Sequence, residues 1–106
     1  MEKLVRDRIP IILEQNGEWA QFHAASDSEF LQRLLEKLIE EVHEFIQDES
    51  IEELADILDI IETLSTVKGF SKEQIERARH LKYERCGSFK NRLIIHLDTK
   101  KSIVQK

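Results

Sequence analysis

Glu41-x-x-Glu44 and Glu53-x-x-Asp56 are two carboxylate pairs with the same internal spacing. On a helix that spacing brings both members of a pair to neighbouring positions one turn apart. Four carboxylates with no His or Cys ligand make a hard oxygen site, suited to Mg²⁺ or Mn²⁺. Magnesium sites of this kind complete their shell with water and with phosphates of a substrate. The chemistry open to such a site is charge neutralisation on phosphate oxygens and activation of a water molecule.

The helices that must carry these pairs are legible. Ser26-Asp27-Ser28-Glu29 reads as a capping box opening a helix over about 28–48, and Ser50-Ile51-Glu52-Glu53 opens another that ends near Lys68, with Gly69 as its stop. The short turn at Asp48–Ser50 makes the two antiparallel, so the pairs face each other. At about 100° per residue, Leu31, Leu34, Leu35, Leu38, Ile39, Val42, Phe45 and Ile46 form one apolar arc. Glu41 and Glu44 fall just off its edge, Glu40 lies further round, and His43 and Glu36 point to solvent. On the second helix Glu53 falls inside the apolar arc and Asp56 at its edge, while Glu52, Asp59 and Glu62 project away.

A carboxylate within an apolar arc needs compensation, because burying it alone costs several kcal/mol or forces it neutral. Three arrangements satisfy Glu53. It closes the Ser50 capping box, it pairs with a basic group such as Lys37, or it ligates a metal with Asp56, Glu41 and Glu44.

Around this pair the chain is expected to be mostly α. A short helix spans Asp7–Gln15, with Pro10 in its opening turn and Asn16-Gly17 as the stop; Ser71 opens a third long helix that runs to about Cys86. Residues 18–25 and 92–97 read as short strands, which gives a helical bundle with a possible two-stranded β appendage. One domain over 1–98 and a frayed tail over 99–106 complete the layout.

Composition narrows the partners. Residues 36–62 carry 11 acids and one lysine, a net charge of −10, whereas residues 68–106 reach +7. The acidic middle would repel a nucleic-acid backbone, and the basic tail lacks interleaved aromatic residues. No apolar run is long enough to span a bilayer, and the N-terminus is charged where a signal peptide is apolar. Cys86, a lone cysteine, has no disulfide partner within the chain, which points to a reduced, cytoplasmic protein.

The run Glu40-Glu41-x-x-Glu44, followed by Glu53-Leu54-Ala55-Asp56-Ile57-Leu58, resembles the signature of the all-α nucleotide pyrophosphohydrolases. That superfamily includes MazG, dimeric dUTPases and phosphoribosyl-ATP pyrophosphohydrolase. The opening Lys3-Leu4-Val5-Arg6-Asp7-Arg8-Ile9-Pro10 is similar to a small MazG-like branch, as is the ending Lys82-x-x-Arg85 followed by Gly87-Ser88-Phe89. Cys86 departs from the basic or small residue expected before that glycine.

The resemblance implies hydrolysis of a nucleoside triphosphate between its α- and β-phosphates, giving a monophosphate and pyrophosphate. It implies Mg²⁺, with Mn²⁺ as a substitute, held by Glu41, Glu44, Glu53 and Asp56. Glu40 or one of the ligands, such as Glu41, would orient or deprotonate the water, and Lys3, Arg6, Lys82 and Arg85 would hold the polyphosphate. Two alternatives stand beside it: a phosphoribosyl-ATP pyrophosphohydrolase of histidine biosynthesis, and a non-catalytic helical nucleotide-binding or interaction module.

The apolar arc of the second long helix is wider than one neighbouring helix covers, which predicts a homodimer or a dimer of dimers. Trp19 and Phe22 are either core or part of a base-stacking wall. Glu40-x-x-His43 matches half of a di-iron motif, but His43 faces away from the apolar arc. His23, His80 and His96 form no spaced cluster.

Overall fold

The computed structural model describes residues 2–97, and among them it contains four α-helices and no strand. These are α1 (Ile9–Gln15), α2 (Asp27–Asp48), α3 (Ile51–Lys68) and α4 (Lys72–Cys86). The chain is all-α. The described residues divide into two compact units, one up to Lys72 and one from Glu73 onward. The tail expected to fray, 99–106, lies outside the described residues.

Local chemistry sets the helix ends. α1 begins at Ile9 rather than Asp7: Arg8 takes the cap position and offers no side-chain acceptor to the first turn. Pro10 sits in that turn, where its missing N–H costs nothing. Ser26 Oγ accepts from the Glu29 N–H at 3.3 Å to cap α2, and Ser50 Oγ accepts from the Glu53 N–H at 3.3 Å to cap α3. Gly69, at φ +75°, ends α3 in the left-handed conformation that a glycine adopts without strain.

In the first unit, α2 and α3 pack as a helical hairpin across the two-residue link Glu49–Ser50. Leu34 of α2 and Ile60 of α3 are its buried apolar residues, 2% and 8% exposed. Burying two such side chains contributes only about 3–6 kcal/mol, so the hairpin is thinly held. Much of the remaining apolar surface faces outward, including Ile39 and Ile46 on α2 and Ile51 and Leu58 on α3.

The residues expected as strands are irregular. Ala20, Phe22 and Ala24 do alternate, but all three are exposed and the segment forms no sheet ladder among the described residues. Alternation makes a strand only where a partner supplies hydrogen bonds and a face to bury. Trp19 is 86% exposed, so it is not part of the core of this chain. In the second unit α4 is polar around most of its circumference, and Ile75 alone is half-buried. Gly87, at φ +80°, turns the chain, its N–H donating to the Tyr83 carbonyl at 2.7 Å. Leu93, Ile94 and Ile95 then run exposed without pairing among the described residues, so 92–97 is not a strand either.

Candidate functional site

The hairpin brings the two carboxylate pairs together. Single carboxylate oxygens of Glu41, Glu53 and Asp56 all lie within 4.8 Å of one another, and so do those of Glu40, Glu41 and Glu44. Glu41 belongs to both groups and joins them into one acidic cluster across α2 and α3.

Glu41 is 5% exposed, deeper than its place beside the α2 apolar arc implied. The arc describes α2 alone, whereas Glu41 is covered because α3 packs across that edge. Its partner is Lys37, one turn earlier, whose Nζ lies 3.6 Å from Glu41 Oε1. Oε2 of Glu41 and Oε2 of Glu53 are both buried and reached by no hydrogen-bond donor. Native interiors seldom leave such atoms unsatisfied, because each forfeits its hydration.

The crowding shifts proton affinities. Glu53 is pushed up to about 7, first through its hydrogen-bonding contact with Glu41, then by burial and by Glu44. Burial raises Glu41 as well, with Glu44 and Asp56 adding to the rise. The Ser50 half of the capping box forms, but the unpartnered Glu53 oxygen points to a second demand on that side chain.

The N-terminal basic residues flank the cluster. Lys3 Nζ donates to Glu40 Oε1 at 2.8 Å, which holds the Glu40 carboxyl below the usual carboxylate range. Arg6 Nη2 donates to Asp56 Oδ1 at 2.7 Å and to Asp59 Oδ2 at 2.8 Å. Asp59, which the helical wheel turns away from the apolar arc, thus belongs to the rim of the site. No local pattern marks it, because its partner lies 53 positions earlier in the chain. Lys37, expected as a possible partner of Glu53, lies instead beside Glu41, four positions on along its own helix.

Lys82 and Arg85 lie one turn apart on α4 in the second unit, and both are exposed. His23 and His80 pair with Glu29 and Glu84, as surface histidines do, and His43 is exposed. Cys86 is a free, exposed thiol.

Comparison with known proteins finds no matching family model, no matching curated protein and no matching solved structure. Among the described residues, no helix is long and apolar enough to cross a membrane.

Proposed function

We propose that the chain is a metal-dependent nucleotide pyrophosphohydrolase of the MazG-like kind, splitting a nucleoside triphosphate into a monophosphate and pyrophosphate. One observation carries this reading: Glu41 and Glu53, both members of the acidic cluster, each keep a buried Oε2 that no hydrogen-bond donor reaches. An all-oxygen donor set with orphaned lone pairs fits Mg²⁺ or Mn²⁺. Glu41, Glu44, Glu53 and Asp56 are the residues to hold it.

A bound Mg²⁺ supplies neutralisation of phosphate oxygens and a more acidic water. The chain's own groups do the rest. Glu40, kept ionised by Lys3, accepts a hydrogen bond from the attacking water and orients it. Water adds at the α-phosphorus, its bond to the bridging oxygen breaks, and the proton passes to Glu40 or to a neighbouring carboxylate. Lys3 and Arg6, which flank the cluster through Glu40 and Asp56, would hold the phosphate chain.

The exposed apolar stripes of α2 and α3 support assembly as a homodimer or a dimer of dimers, and the free cysteine suits a reducing cytoplasm. The test is a panel of canonical and modified nucleoside triphosphates, with phosphoribosyl-ATP included, scored for pyrophosphate. Release of pyrophosphate with Mg²⁺ or Mn²⁺, and weak turnover with the larger Ca²⁺, is expected. Orthophosphate as the primary product, or turnover undiminished by a chelator, overturns the reading.

A further inference from the structure

Residues 2–6 are pinned to both helices of the hairpin. Glu2 accepts from Arg33 Nη2 at 2.7 Å and Lys3 donates to Glu40 at 2.8 Å, both on α2. Arg6 reaches α3, where its single nitrogen Nη2 bridges Asp56 and Asp59. The segment therefore lies from one helix to the other beside the acidic cluster, with a cation at each flank. A cavity of ≈ 410 Å³ runs along its α2 side, lined in part by Lys3, Leu4, Lys37 and Glu40.

The two anchors of Arg6 differ in kind. Asp56 has an oxygen within 4.8 Å of oxygens on Glu41 and Glu53, so it belongs to the ligand cluster; Asp59 does not join that group. The Arg6 side chain is 61% exposed, and its guanidinium has further N–H donors beyond the nitrogen in use. A cation arriving in the cluster competes with Arg6 for Asp56, while Asp59 can keep the guanidinium in place.

We infer that Arg6 is an exchangeable counter-ion. It holds Asp56 while no metal is bound, cedes that carboxylate to the divalent ion, and turns its guanidinium from Asp59 onto the phosphate chain of the ligand. The inference rests on the metal-site reading above and adds a property that reading does not require. Arg6 opposes the metal when it arrives alone and assists the metal–phosphate complex. Planar guanidinium groups suit this second role, since they grip phosphate oxygens bidentately.

Removing Arg6 should therefore move two affinities in opposite directions. Mg²⁺ is titrated calorimetrically into the whole, nucleotide-free chain as wild type, Arg6→Gln and Arg33→Gln. Arg33 tethers the same segment through Glu2 but touches none of the four ligand carboxylates, so its variant reports the plain loss of one positive charge. Arg6→Gln is expected to bind Mg²⁺ about threefold or more tighter than Arg33→Gln. With Mg²⁺ saturating, inorganic triphosphate, a phosphate chain without a base, is expected to bind Arg6→Gln about tenfold more weakly than wild type. Substitution at so exposed a side chain leaves helix content unchanged, which circular dichroism verifies. Equal Mg²⁺ affinities for Arg6→Gln and Arg33→Gln, or both ligands moving in the same direction, overturn the exchange while leaving the metal site standing. Absence of Mg²⁺ and Mn²⁺ binding in all three proteins overturns the metal site, and the exchange with it.

Discussion

Glu53 and Glu52 are neighbours on α3 with opposite surroundings. Glu53 is half-buried, with an oxygen that no donor reaches, and Glu52 faces water. Glu53→Gln keeps the shape and the capping geometry but removes a charge that a metal needs. Turnover should fall by more than about 100-fold, beyond the 10–100-fold that residues merely supporting a ligand cost. Glu52→Gln should stay within about 0.5 kcal/mol of wild type in stability, with turnover intact. Normal turnover in Glu53→Gln would refute the four-carboxylate site and favour the capping box as the sole role of Glu53. Stability against pH gives the same residue a second readout. The Glu53 carboxyl sits at about 7 in the folded chain against an ordinary value of 4.5, so between those values the folded state binds more protons than the unfolded. Stability is then fully present below the unfolded value and is lost as pH rises through about 7. Melting with a chelator present should show that decline, and Glu53→Gln should flatten it.

The link between α2 and α3 holds a strained residue. Glu49 ends α2 in the left-handed region at φ 51°, its N–H donating to the Phe45 carbonyl at 2.7 Å. A side chain there costs about 1–2 kcal/mol, of which glycine regains part after its greater unfolded-state freedom is charged against it. Glu49→Gly should stabilise the hairpin by about 0.5–1 kcal/mol and raise Tm by a few degrees; a lower Tm would mean that the Glu49 side chain holds the turn. The contrast with Gly69 explains what was readable in advance. Ser26, Ser50 and Gly69 announce their helix ends because capping is a matter of residues three or four positions apart. The inward place of Glu53 followed from periodicity for the same reason. Glu41 escaped, since its burial comes from α3 across the hairpin, and so did the Arg6 bridge, whose partners lie 50 and 53 positions away. The two expected strands failed on the same ground: alternation at Ala20–Phe22–Ala24 is local, but a ladder needs a partner.

At the scale of the whole molecule, too little apolar surface is buried within the chain. Leu34 and Ile60 are the buried apolar residues among those described, while Leu35, Ile39, Val42 and Ile46 line an exposed stripe on α2. Ile51, Leu54, Leu58 and Ile61 line another on α3. Their spacings alternate between three and four, the pattern by which facing helices interlock side chains. Each hairpin thus carries an inner seam that meets its own partner helix and an outer stripe left in water. Two copies joining through the outer stripes would make a four-helix arrangement, and a chain this short gains much of its stability from such burial. Light scattering should therefore give a mass at least twice the 12.5 kDa of one chain at low micromolar concentration. The double variant Ile39→Glu/Leu58→Glu places charge on both stripes without touching Leu34, Ile60 or the carboxylate cluster. It should dissociate the assembly and lower Tm, because each exposed stripe then loses its cover. A wild-type chain that stays monomeric under those conditions would overturn the assembly, whatever the carboxylate cluster proves to bind.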